Sequence, residues 1–465
     1  MAGTFEVRNP ANNALVGTLP LTTPKGLIDM VAKAKKAKEA WANAPLFKRA
    51  EILYRFCDLF QENISDIAST MSRELGKPIT QSNFEVTDAL RAARAYIEKA
   101  NHLYGDVFPE NFPGIQNDLV FTRREPLGIV LCIVPFNFPI NLCIHKVIPA
   151  LIMGNVAIVK APSDNPLSVF KMLSLLEKAG LPDGVCQYMV CDKAECTKHL
   201  VESPDVQAVS LTGSTRAGIE IAQHGASTLK HIMLELGGNG PLIIFKDADL
   251  DYAVSVMIPG RTTNAGQSCQ ADKRFIIHRS IQKPLIEKLV ERLKKMKIGD
   301  ALDPQTEMSC LVSEEAAKNV ELYIKHTIEQ GAKCVYGGTR NGAFVTPTVL
   351  VDVTRDMDVA KDLEIFGPVF TIITFDTEEE AITIANNTQY GLSAGIISKD
   401  LKNALRIASK IHAGTVGVNG TGQYAHPEQP RGGYKMSGLG REGISGTLEE
   451  YSQLKSYVIR DVFDK

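Results

Sequence analysis

Between residues 155 and 213 the chain changes rhythm repeatedly, and this constrains the fold more than any single motif. "NVAIVKA" is a short β-branched run, "PLSVFKMLSLLEKAG" spaces its apolar residues as a helix does and stops at Gly180, and "VCQYMV" and "VQAVSLTG" are strand-like again. Apolar strands separated by helices assemble into a parallel sheet covered on both faces, so the expected class is α/β. A second stretch of the same kind begins near Gly238 with "PLIIF", continues through "LDYAVSVMIPGRTTNAGQ" as a helix and "RFIIHR" as a strand, and runs to about residue 430. The first 115 residues read mostly as helices. "NDLVFTRREPLGIVLCIVPFN", with turn signals at Glu125-Pro126 and Gly128, is expected to be a β-hairpin, and the tail "EEYSQLKSYVIRD" a strand able to pair with it.

Charge and cysteine usage exclude several classes of function. The 465 residues carry a formal net charge of −2, with no basic stripe for nucleic acid or an anionic membrane. No run reaches the length of a membrane span, and "MAGTFEVRNP" lacks the pattern of a signal peptide, so a cytoplasmic protein is expected. Nine cysteines, an odd number in a long chain, are expected to be reduced. Cys186, Cys191 and Cys196 lack the two-residue gap of common zinc sites, and no metal site is expected.

One cysteine stands apart. In "NAGQSCQADKR", Cys269 follows Gly266, Gln267 and Ser268, a turn with little bulk to cover a sulfur and with backbone N–H groups free to meet a ligand. Three other stretches could serve it. Glu235 ends the apolar run "HIML" before Gly237-Gly238, which places a carboxylate at a strand end, where open α/β sheets hold their ligands. Asn137 sits between rings and prolines in "PFNFP", Pro135 to Pro139, where a rigid amide can donate to an oxyanion. "VSLTGSTRAG" is a strand that stops at Gly213-Ser214 and opens a helix, a start suited to a phosphate, although it is not the Gly-x-Gly-x-x-Gly fingerprint.

Taken together and in order, "VPFNFP", "GNVAIVKAP", "TGS", "LELGG", "GQSC", "LEIFGPV" and "GGYKMSGLGREG" resemble the aldehyde dehydrogenase superfamily over nearly the whole chain. The resemblance implies a Rossmann-type dinucleotide-binding domain (1–115 and 134–237), an α/β catalytic domain (238–445) and a small β oligomerisation arm (116–133 and 446–465), joined in a homodimer or homotetramer. It implies a reaction in which Cys269 attacks an aldehyde, Asn137 and the Cys269 N–H hold the oxyanion, and Glu235 activates water against the resulting thioester. It also assigns Lys160 and Glu364 to the cofactor riboses, Phe366 to the nicotinamide, Gly213 and Ser214 to the pyrophosphate, and Pro135, Ser163 and Leu236 to the same cofactor site.

The cofactor is then NAD or NADP. Where many NAD-preferring relatives carry a glutamate three residues after the strand lysine, this chain has Ser163, which leaves room for a 2′-phosphate, with Asp164 beside it as a source of repulsion. For the substrate, the positions of the arginine pair of succinate-semialdehyde members hold His145 and Thr263, and "PFNFPINLCIHK" looks like the lactaldehyde, sulfolactaldehyde and phosphonoacetaldehyde branches. A short aldehyde with a hydroxyl or an anionic group is expected, with succinate semialdehyde as the alternative. His145 is either a substrate contact or a buried structural histidine; Arg261 and Arg431 are further candidates. CoA-acylating relatives lack the glutamate of "ELGG", so Glu235 argues against thiolysis.

Overall fold

The alternating runs of the first half assemble into a six-stranded sheet. A computed structural model describes residues 3–109, 112–424 and 426–463. The expected domain ranges also include 1–2, 110–111, 425 and 464–465, which lie outside the described residues. The strand order is Gly438–Leu439, His231–Glu235, Ala208–Thr212, Ile129–Ile133, Val156–Lys160 and Cys186–Met189; the last five are parallel and the first is antiparallel to its neighbour. From Ile129–Ile133 the chain moves one way through the next two strands, then returns to the other side as Ala208–Thr212. The crevice beyond the C-terminal ends at such a reversal is where doubly wound sheets bind ligands. Pro135, Lys160, Gly213, Ser214 and Glu235 all lie at, or within two residues of, these strand ends.

The hairpin expected around Gly128 does not form. Leu119–Pro126 pairs instead with the tail strand Ser452–Ile459 on one side and Val107–Phe108 on the other, a separate antiparallel sheet. Ile129–Ile133 enters the parallel sheet. Its run "IVLCI" is buried at four successive positions, the mark of a strand covered on both faces, whereas Leu119–Pro126 is mostly half-buried. Gly128, at φ 132°, makes the bend between the two sheets, and a Cβ there would stand 2.3 Å from Gln207 Oε1.

The second half forms a seven-stranded sheet in the order Lys333–Tyr336, Thr348–Val353, Val369–Phe375, Asp272–His278, Gly240–Ile244, Ser393–Ile397 and Thr415–Val418, parallel except for the first pair. Each sheet has its own apolar core: one draws on residues 27–236 with Ile444, Leu448 and Tyr451, the other on residues 242–413. The mostly helical start also holds a short hairpin, Thr4–Arg8 with Leu15–Pro20. "FKRAEILYRFCDLFQENISDIASTMSREL" is two helices, Leu46–Glu62 and Ile64–Leu75, broken where the Asn63 side chain donates back to the Leu59 carbonyl. Among the described residues no helix is long and apolar enough to cross a membrane, and no group of three or more His, Cys, Asp or Glu is placed to hold a metal ion.

Candidate active site

Cys269 is presented by a strained turn. After the helix Leu250–Thr262 the chain reverses through three residues in the left-handed region, Asn264 (φ 51°), Ala265 (φ 53°) and Gly266 (φ 76°). For the two residues with a Cβ this costs roughly 1–2 kcal/mol each, so the surroundings must hold the turn in place. Gln81 Oε1 accepts the Asn264 N–H (2.8 Å), the Asn264 amide donates to the Asn137 carbonyl (2.9 Å), and the Gln267 side chain ties the Asn264 carbonyl (3.0 Å) to the Val312 N–H (3.0 Å). At position 266 a Cβ would lie 2.4 Å from the Gly367 oxygen, so only glycine fits.

Beyond the turn, the buried Lys273 ammonium donates to the Ser268 (2.8 Å) and Cys269 (2.7 Å) carbonyls. With its carbonyl committed, Cys269 keeps an N–H that meets no backbone acceptor among the described residues. Asn137 is buried after the strand Ile129–Ile133. Its Oδ1 accepts the Phe138 N–H (3.1 Å) and its Nδ2 donates to the Gln267 carbonyl (3.0 Å), which fixes the amide's orientation and leaves Nδ2 a second N–H. Two uncommitted N–H donors, one on Asn137 and one on Cys269 itself, are the kind of group that an oxyanion needs.

Burial pushes the Cys269 thiol up to about 12; the Lys273 ammonium opposes this, and the carboxylates of Glu364, Glu235 and Glu442 add to it. Glu235 is held well above the ordinary carboxylate range, by burial first and by Glu442 second, against the pull of Lys146, Arg431 and Arg441. Glu235, Lys146 and Glu442 line a small cavity of about 20 Å³, room for one water molecule. Lys146 pairs with Glu442 at 3.4 Å.

The residues assigned to a cofactor gather at the sheet crevice and its far wall. Lys160 ends its strand half-buried, and Ser163 is exposed three residues later, next to an exposed Asp164. Ser214 caps the helix Thr215–Gly225 by accepting the Ala217 N–H (3.2 Å), and Thr212 Oγ1, at the end of the preceding strand, is buried without a partner. The Leu236 N–H is bound to the Ser437 carbonyl (2.9 Å), and its side chain lies where a Cβ on Gly218 would meet it at 2.6 Å, under that helix. Pro135 is half-buried past its strand end. Across the crevice, Glu364 takes the Lys273 ammonium at 3.1 Å and the Gly238 N–H at 3.2 Å, while the Phe366 ring meets Phe136 edge-on, centroids 6.0 Å apart.

A cavity of about 520 Å³ opens onto Cys269, lined also by Lys77, Phe84, Asp88, Asn141, Thr263 and Arg431. Thr263 thus stands where a substrate contact was expected. His145 does not line this cavity: it is buried behind it on the helix Pro139–Ile152, with Nδ1 on the Tyr96 hydroxyl (2.7 Å) and Nε2 facing Arg431 (3.4 Å). Its expected role as a direct contact is therefore corrected. Arg261 is structural, spending its guanidinium on the Val369 and Ile365 carbonyls (both 2.7 Å). The sequence reading missed Lys273, Gln267 and the Lys77–Glu85 pair. Lysines within otherwise apolar or glycine-rich runs are the signal that was available, since Lys77, Lys146 and Lys273 are all buried.

The model of the aldehyde dehydrogenase family matches residues 1–457. The chain is 36% identical over 456 residues to a 3-sulfolactaldehyde dehydrogenase of Priestia aryabhattai, covering 98% of this chain and 94% of that protein. It is 34% identical over 455 residues to a probable NADP+ succinate-semialdehyde dehydrogenase of Sinorhizobium fredii, covering 97% and 92%. Among solved structures, glyceraldehyde-3-phosphate dehydrogenase from Methanocaldococcus jannaschii, complexed with NADP, superposes with a TM-score of 0.94 at 34% identity, covering 99% of both chains.

Proposed function

The chain belongs to the aldehyde dehydrogenase family, and on that premise we propose that it oxidises a short polar aldehyde, bearing a hydroxyl or an anionic group, to its carboxylic acid with NAD(P). The observation that carries this reading is the Cys269 turn, which sets a thiol at a cavity and ties the Asn137 amide to the Gln267 carbonyl two residues before it. Oxidation of lactaldehyde-like and sulfonated aldehydes accords with the sulfolactaldehyde relative; succinate semialdehyde is the second reading, favoured by the other relative. Water rather than CoA accepts the acyl group, because Glu235 supplies a base.

In the first half-reaction the Cys269 proton passes to solvent water in the cavity, the Lys273 ammonium favouring the thiolate that remains, and the thiolate attacks the aldehyde carbon. The carbonyl oxygen becomes an oxyanion held by Asn137 Nδ2 and the Cys269 N–H; one such donor lowers a barrier by about 3–4 kcal/mol in a favourable case. A nicotinamide dinucleotide, held by the crevice residues, would supply the hydride acceptor that thioester formation needs. In the second half-reaction Glu235 takes a proton from water, whose oxygen attacks the thioester carbon; the C–S bond breaks, and Cys269 leaves as a thiolate that recovers that proton from Glu235.

The crevice suits the dinucleotide. Lys160, the open first N–H groups of the helix Thr215–Gly225 and the orphan Thr212 hydroxyl are donors for ribose and phosphate oxygens. Ser163, short and neutral beside Lys160, favours NADP. The oligomer is a homodimer or homotetramer built on the arm sheet, which exposes Val107, Phe108, Leu454, Val458 and Ile459. Nine free thiols accord with a cytoplasmic protein. A panel of two- to six-carbon aldehydes, with and without anionic groups, followed by NADH and NADPH absorbance tests the activity; the absence of aldehyde-dependent reduction across the panel overturns it.

A further inference from the structure

Two arginine or lysine side chains line the cavity at Cys269, and their charges are treated differently. The Lys77 ammonium is spent inside the wall: it pairs with Glu85, donates to the Asn137 carbonyl (2.7 Å) and lies 3.9 Å over the Phe138 ring. Arg431 has no carboxylate within ion-pair distance among the described residues, and its Nε is buried without a hydrogen-bond partner. Of the carboxylates its charge acts on, Glu442 and Glu235, the first pairs with Lys146 and neither stands within ion-pair distance of Arg431. The remaining cavity acid, Asp88, accepts from the Asn141 amide (3.1 Å).

What holds Arg431 is a neutral group. A guanidinium only donates, so His145 Nε2 must accept from it, which puts the imidazole hydrogen on Nδ1, where it donates to the Tyr96 oxygen; Tyr96 in turn donates to Thr447 Oγ1 (3.2 Å). Burial first, and Arg431 second, hold His145 down to about 3, so it stays neutral through the working pH range. A carboxylate in its place would position the guanidinium equally well and cancel it.

We propose that Arg431 is the specificity-determining residue of this cavity, binding an oxyanionic group of the aldehyde substrate (carboxylate, sulfonate or phosphonate), and that His145 is the positioning residue that orients Arg431 while leaving its charge intact. This rests on the reading of Cys269 as the site of aldehyde oxidation. Arginine matches such groups with a planar fork that lysine and glutamine lack.

The test compares kcat/KM for succinate semialdehyde, sulfoacetaldehyde and phosphonoacetaldehyde with that for propanal and butanal, in wild type, Arg431→Gln, Arg431→Lys, His145→Leu and His145→Gln, each checked for folding by circular dichroism. Wild type should prefer at least one anionic aldehyde by about 100-fold or more, and Arg431→Gln should shrink that ratio to about fivefold or less, with Arg431→Lys between them. His145→Leu should raise KM for the anionic aldehyde more than it lowers kcat, and His145→Gln, which keeps an acceptor, should recover part of the loss. The anionic compound that shows the ratio identifies the group. Equal losses on anionic and neutral aldehydes would overturn the proposal, assigning Arg431 to Glu235 instead; so would a wild type that favours neutral aldehydes, which would leave the oxidation reading standing. A readout independent of turnover separates the two: succinate or 3-sulfopropanoate should slow iodoacetamide alkylation of Cys269 in wild type and not in Arg431→Gln, and protection that is the same in both variants counts against the anion site even if no aldehyde is oxidised.

Discussion

Lys273 and Glu364 form an ion pair, 3.1 Å from Nζ to Oε1, in which the lysine is buried and the carboxylate half-buried. The same ammonium binds the Cys269 carbonyl and is the largest charge acting to lower the thiol's proton affinity, while Glu364 acts to raise it. The carboxylate that the family resemblance gives to a cofactor ribose is therefore also the counterion of the lysine that tunes the nucleophile.

Substituting either partner should move the thiol in opposite directions. Lys273→Met removes the favourable charge, raises the thiol further and should slow iodoacetamide alkylation of Cys269 at pH 8 by about tenfold, the thiolate loss for one pKa unit. Glu364→Gln removes an unfavourable charge and should speed alkylation by about threefold or more. Mass-spectrometric alkylation rates across pH check both, and a shift of the same sign in the two variants contradicts the electrostatic account.

Cys269→Ala should abolish aldehyde oxidation while leaving NADPH binding, followed by fluorescence, within about twofold of wild type, because the thiol makes the covalent bond and holds none of the dinucleotide. Glu235→Gln should still form thioester and show a burst of reduced cofactor followed by a slow steady state. Burial holds Glu235 well above the usual carboxylate range, so deacylation in wild type should accelerate as pH rises through that raised pKa; its basic form is the one that works. A missing burst would move Glu235 to an earlier step.

Ser163→Glu should shift cofactor choice toward NAD. The new carboxylate beside Lys160 repels a 2′-phosphate and can accept from a ribose hydroxyl, so the NADP-to-NAD ratio of kcat/KM should fall by about tenfold or more. A hundredfold preference for NAD in wild type would refute the role given to this serine.

Lys77→Met should destabilise the protein by about 3–5 kcal/mol in urea unfolding, because it leaves Glu85 charged and buried. Glu85 also accepts the N–H groups of Ile140 (3.0 Å) and Asn141 (3.2 Å) at the start of the helix that follows Asn137. Losing Lys77 therefore loosens the oxyanion amide as well, and the rate of thioester formation should fall with stability. Glu85→Gln, which keeps an acceptor for those N–H groups, should lose less activity than Lys77→Met.

Much of this molecule was legible in the chain because the information is local. A run such as "VAIVK" buried on both faces has to be a central strand, and a glycine in "NAGQSC" announces a backbone that a side chain would block. Strand ends follow from where the apolar run stops, so Gly213, Ser214 and Glu235 could each be placed at a strand end from the chain alone. The error at Gly128 has the same origin: two adjacent strands with a turn between them look like a hairpin, and only the burial of Ile129–Ile133 on both faces sends one of them into a different sheet.

Tertiary structure alone decided what each polar residue is for. The contacts that define the site join residues far apart in the chain: Asn137 with Gln267, Lys273 with Glu364, and His145 with Arg431. A lysine, glutamate or histidine satisfies its sequence neighbours equally well as a solvated surface group, so nothing local distinguishes the two fates. Burial makes the difference, because a charge or an amide removed from water must find its partner in the fold, and the partner it finds determines whether it positions, tunes or binds.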